Sequence, residues 1–175
     1  MIVANVLLLA MASAAAPLHV GDTLPVVTGE TMSGKTLALP PAASGPAAIL
    51  VFSFSRAGGN DAQIWNDHVS KETKDNSHVR SFTVMMLESV PRILRGIVTS
   101  GIRKQMPPAM HERCIFVFRD EAIWKNRFAV SDERRAYVVL IDAGAHIYWM
   151  NAGPFSDSAF EKLREAVLRI HPPRI

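Results

Sequence analysis

Residues 47–54 read Ala-Ala-Ile-Leu-Val-Phe-Ser-Phe, an almost unbroken apolar run. A run of that length with no polar alternation predicts a strand covered on both faces. Ser81 to Leu87 and Cys114 to Phe118 predict two more strands, and Tyr137 to Asp142 pairs with Ile147 to Trp149 around a turn at Ala143-Gly144. Between the strands the apolar period changes to that of a helix. Ile64, Trp65, His68 and Val69 form an inner face behind a cap at Asn60-Asp61, and Ile93, Leu94, Ile97, Val98 and Ile102 form a second apolar stripe, expected to face the core with the helix's charges in solvent. Pro91 opens that second helix at its first position and Pro107-Pro108 ends it. A short helix from Glu121 to Phe128 turns Ile123, Trp124 and Phe128 inward. Ser156 caps a last helix, whose Phe160, Leu163, Val167 and Ile170 face the sheet.

Upstream, short extended pieces flank the Gly34-Lys35 turn and predict a hairpin, and the Pro- and Gly-bearing stretch from Pro40 to Pro46 predicts a loop. Strands that alternate with helices and end in hairpin plus helix give an α/β three-layer sandwich. Its central sheet is mixed, with an N-terminal hairpin extension.

Composition narrows the function. The chain has 175 residues, 49% apolar and 20% charged, which suits one globular domain. A net charge of +3 and only 7% aromatic residues argue against nucleic-acid binding. Cys114 is the sole cysteine, so no disulfide and no two-cysteine redox cycle can form within one molecule. Residues 1–16 carry no charge, run apolar from Ile2 to Ala12 and end in small side chains, as a cleavable export signal or apolar leader does. The expected organisation is that leader followed by a folded domain over 20–171, exported and periplasmic or membrane-associated.

Several of these residues carry a resemblance. From Val20 to Ile170 the chain resembles a thioredoxin-like domain of the peroxiredoxin and thiol-reductase branch, most specifically through the hairpin Tyr137-Val-Val-Leu-Ile-Asp142 to Ile147-Tyr-Trp149, Gly153 and the final helix. The usual Cys-x-x-Cys is replaced by Phe52-Ser-Phe-Ser-Arg-Ala-Gly-Gly-Asn60. The missing cysteines, the Phe-Ser-Phe-Ser-Arg56 strand end, Trp65 and the Tyr-Val-x-Leu-Ile-Asp strand are together similar to the mitochondrial ATP-synthase F0 assembly factors. That resemblance implies a chaperone of the membrane-embedded subunit a and a protein client, with no cofactor.

The candidate site residues follow from that frame. Ser55, Arg56, Gly58, Gly59, Asn60, Trp65 and Ala136 make up a degenerate active-site region. Ser55 and Asn60 bracket the place where a thiol enzyme holds its nucleophile, at a helix N-terminus that lowers a thiolate's pKa, but a serine there needs a neighbouring base. Arg56 and the amides of Gly58 and Gly59 could instead converge on an anion. Ala136 occupies the usual cis-proline position and is predicted to be trans. No catalytic constellation and no metal set is recognisable. His111 and Cys114 stand three apart, but nothing in the sequence names two further ligands. Arg92, Arg95, Arg103 and Lys104 put positive charge on the second helix without an acidic residue, as a contact for a membrane-protein client or an anionic membrane surface. The alternative is a single-cysteine peroxidase or thiol transferase using Cys114, which the cysteine's place in an apolar strand disfavours.

Overall fold

The computed structural model describes residues 15–40, 46–74, 76 and 78–170. Of the expected leader, all but Ala15 and Ala16 lies outside the described residues, as do 41–45 of the expected loop. Seven strands form one mixed sheet in the order β2-β1-β5-β4-β3-β6-β7. They are β1 (Val27–Thr31), β2 (Thr36–Leu39), β3 (Ala47–Ser53), β4 (Val79–Met86), β5 (Cys114–Val117), β6 (Tyr137–Ile141) and β7 (Ile147–Ala152). The helices are α1 (Arg56–Thr73), α2 (Arg92–Gln105), α3 (Glu121–Arg127) and α4 (Asp157–Ile170), with a 3-10 turn at Pro108–Met110.

β3 runs through the middle of the sheet, parallel to β4 and antiparallel to β6. All seven of its residues are buried, as the unalternating apolar run requires. Its side chains divide between two cores. Leu50 and Phe52 pack with Val84, Val139, Trp124 and Phe128 beneath α3, where the Phe52 ring lies 5.3 Å from Trp124 and 4.7 Å from Phe128. Ile49 and Val51 pack on the opposite face with Trp65, Val69, Leu163 and Val167 from α1 and α4. The β1–β2 hairpin turns at Gly34, whose φ of +87° suits glycine, and joins the sheet edge antiparallel to β5. A third cluster holds Met32, Met106, Cys114 and Phe116, with Ile102 of α2 partly buried against it.

Four local expectations are corrected. Ser55, rather than Asn60-Asp61, caps α1, because the helix begins directly after the strand end. Pro91 is the cap of α2 and Arg92 its first residue. Ile64 and Ile123 lie on the outer sides of their helices, 47% and 42% exposed, while Trp65, Val69, Trp124 and Phe128 fill the core as expected. The fourth correction concerns all of α2. None of its residues is buried, and Ile93 and Ile97 are 86% and 72% exposed. Two side chains each worth about 2 kcal/mol when buried stay in water.

Candidate functional site

At the end of β3 the chain turns directly into α1, and Ser55 makes the turn in extended backbone, with φ −152° and ψ 171°. Its Oγ accepts from the Gly58 N–H at 3.0 Å and donates to the Glu133 carbonyl at 2.6 Å. A carbonyl oxygen cannot take the hydroxyl proton, so Ser55 has no base and acts as a helix cap. The Gly59 N–H donates to the Ser55 carbonyl at 2.8 Å. Both amides expected to converge on an anion are therefore committed inside the turn. Arg56 is exposed beside them, as is Asn60 on the next turn.

Gly58 has a definite packing role. A Cβ there would meet the Glu133 carbonyl at 2.5 Å and the Arg135 carbonyl at 3.1 Å, so only glycine lets residues 133–135 approach the helix this closely. Trp65, expected in the site region, belongs to the core. It is fully buried, with Phe155 at 5.2 Å and Trp149 at 6.2 Å between ring centroids.

Ala136 is buried at the entrance to β6, and its peptide bond is trans as expected: among the described residues the one cis bond is Leu39-Pro40. The Ala136 N–H donates to Asp61 Oδ2 at 2.8 Å, and the Phe155 N–H approaches Asp61 Oδ1 at 3.4 Å. One carboxylate thus ties α1 to the starts of β6 and α4. Sequence reasoning gave Asp61 only a capping role. The missed signal was its position four residues before Trp65, which puts a carboxylate on the core-facing line of the helix, where it needs buried partners.

The approach to β6 is fixed by charge. Asp132 accepts from Arg134 Nε at 2.8 Å and from its Nη2 at 3.0 Å, and that guanidinium holds the Asp132 carboxyl down at about 2. Glu133 reaches Lys125 Nζ at 2.7 Å, and Lys125 also meets the buried Glu121 at 2.8 Å. Glu121 in turn accepts from the Ser89 N–H at 3.1 Å. These links hold the loop against α3, and the Ser55 hydrogen bond to the Glu133 carbonyl holds it against the start of α1.

Cys114 opens β5 with no exposed surface, opposite Thr83 of β4. Burial pushes its thiol pKa up to about 12, so it is protonated at neutral pH and lacks the thiolate that nucleophilic chemistry uses. His111 Nε2 lies 3.1 Å from the Met106 carbonyl. Among the described residues no three His, Cys, Asp or Glu side chains converge as metal ligands.

The basic helix divides its four expected contact residues. Arg92, Arg103 and Lys104 are exposed and form no ion pair among the described residues. Arg95 is an anchor: it donates to the Val90 carbonyl at 3.0 Å and the Glu88 carbonyl at 3.2 Å, with its guanidinium carbon 4.7 Å above the Phe118 ring. Among the described residues no helix is long and apolar enough to cross a membrane.

Comparison with known proteins follows the same lines. The family model described as ATP10 protein matches residues 20–170. No curated protein matches the chain. Among solved structures, the chain is similar to a protein of Chlorobium tepidum assigned as the thiol:disulfide interchange protein DsbE, at a TM-score of 0.64 and 16% identity over 87% of this chain and 98% of that one. A peroxiredoxin-like protein of Aquifex aeolicus matches at a TM-score of 0.56 and 12% identity, covering 87% of this chain and 90% of its own. The exposed lipoprotein thioredoxin Etrx1 of Streptococcus pneumoniae matches at 0.55 and 16%, covering 81% and 99%. At these identities the likeness establishes the thioredoxin-like fold and nothing about activity.

Proposed function

This chain belongs to the ATP10 protein family, and on that premise we propose that it assists assembly of the ATP synthase as a redox-inactive binding protein, with a membrane subunit of the F0 sector as its client. The observation that carries the reading is the sealed turn at Ser55. The Ser55 hydroxyl donates its hydrogen bond to the Glu133 carbonyl rather than to a base, and the Ala136 N–H at the entrance to β6 is spent on Asp61. A site built this way supplies no base to activate its hydroxyl, which supports action by surface contact. The buried Cys114 supports the same reading and weakens the peroxidase alternative.

The test is genetic and biochemical. In a strain lacking the protein, native gels should show ATP synthase depleted of subunit a, and a Ser55→Ala, Cys114→Ala double variant should restore it. Normal ATP synthase without the protein removes the client. Failure of the double variant, if it folds and accumulates normally, removes redox inactivity.

A further inference from the structure

The orientation of α2 is unusual for a helix that joins two parallel strands. Its partly buried side carries Arg95, Thr99 and Ile102, while Ile93 and Ile97 point away from the protein. Ile93, Ile97 and Lys104 lie at i, i+4 and i+11, one line along the helix, and Leu94 is half-exposed beside them. Arg92 begins the helix, Arg103 and Lys104 end it, and none of its fourteen residues is acidic. The acidic side chains flanking it in sequence are already engaged. Glu88 accepts from the Glu121 N–H at 2.7 Å, and Glu112 pairs with Lys35 at 3.2 Å. Gly96 and Gly101 leave the helix surface open, with nothing within 4 Å of where a Cβ would stand.

We propose that α2 docks the protein on an anionic bilayer surface, with Ile93, Leu94 and Ile97 in the interface and Arg92, Arg103 and Lys104 on lipid phosphates. Charge complementarity selects this occupant. An apolar centre bracketed by unpaired cations, with no acid and no aromatic on the helix, suits a surface that is apolar within and negative at the rim. Long basic side chains at both ends can reach headgroups while the isoleucines lie deeper. At about 1.5 Å per residue the helix offers a footprint of roughly 20 Å, long enough to lie along a membrane. The inference goes beyond the assembly role and stands whether or not subunit a is the client.

The full chain should float with vesicles of phosphatidylcholine mixed with phosphatidylglycerol, and far less with phosphatidylcholine alone. Replacing Arg92, Arg103 and Lys104 together by Gln should weaken partitioning by roughly fivefold per charge. Ile93→Ser with Ile97→Ser should weaken it as well, and both variants, altered only at exposed positions, should keep the parent's thermal midpoint. A second measurement reports on this helix alone, whatever the apolar first residues of the chain contribute. An environment-sensitive fluorophore on Ile97→Cys, attached selectively because Cys114 is buried, should shift to the blue on anionic vesicles. A probe that keeps its aqueous spectrum on those vesicles overturns the proposal. So do variants that bind lipid like the parent yet lose the membrane-protein client, which would make the surface a protein dock.

Discussion

Gly58 and Gly59 are neighbours on the first turn of α1, yet their surroundings differ completely. A Cβ on Gly58 would collide with two backbone carbonyls of the 133–135 segment, and backbone cannot rotate away as a side chain does. A Cβ on Gly59 meets nothing within 4 Å. Gly58→Ala should therefore destabilise the fold by about 3 kcal/mol through overpacking. Gly59→Ala should stabilise it by about 0.5 to 1 kcal/mol, because alanine loses less backbone entropy in a helix. Urea midpoints of the two variants against the parent give both signs, and a mild Gly58→Ala would show that the loop is free to retreat. In the sequence the pair reads as one flexible Gly-Gly, because the distinguishing contact comes from residues more than seventy positions away. Asp61 was obscured in the same way: its partners Ala136 and Phe155 are known only once β6 and α4 are in place.

Among the elements, legibility followed burial. β3 and β6 are buried on both faces and were readable from apolar runs alone, and α4 from its period and its Ser156 cap, whose Oγ accepts from the Ala159 N–H at 3.1 Å. α2 is the exception. Its apolar stripe has the period of a core-facing helix, but periodicity reports only that a helix has two sides, not which side meets the sheet. Here Arg95 takes the inner place through two carbonyls and the Phe118 ring. A helix with no buried residue, two glycines and arginines in its first turn has little to hold it. Its amides should exchange with solvent through local opening, with protection roughly a hundredfold below that of the Trp65 and Val69 amides in α1. Hydrogen exchange followed by mass spectrometry of the free protein decides this, and equal protection in the two helices would mean that α2 is held by more than these contacts.

At the scale of the whole molecule, Cys114 connects stability to the reactivity of the chain's single thiol. The thiol lies among Met32, Phe116 and Met106, with Ile102 of α2 packed against the same cluster, so a reagent reaches it only when this cover opens. Its alkylation should be slow in the native protein and should track the opening of α2, the same opening that hydrogen exchange reads, so that urea too dilute to unfold the domain leaves the rate nearly unchanged. The pH dependence has a definite sign. Burial raises the folded thiol from 9.0 to about 12, so between those values the unfolded chain releases a proton that the folded one keeps. Stability is lost over that window at up to about 1.4 kcal/mol per pH unit, whereas below pH 9 the thiol contributes no slope. Cys114→Ala should flatten this part of the urea-midpoint profile while leaving the profile at neutral pH unchanged in shape. A catalytic cysteine would behave in the opposite way: its thiolate, favoured in the folded state, would add stability as pH rises and would alkylate without such opening. Rapid labelling of the native protein at neutral pH would therefore place Cys114 in an accessible site and restore the single-cysteine enzyme as the better reading.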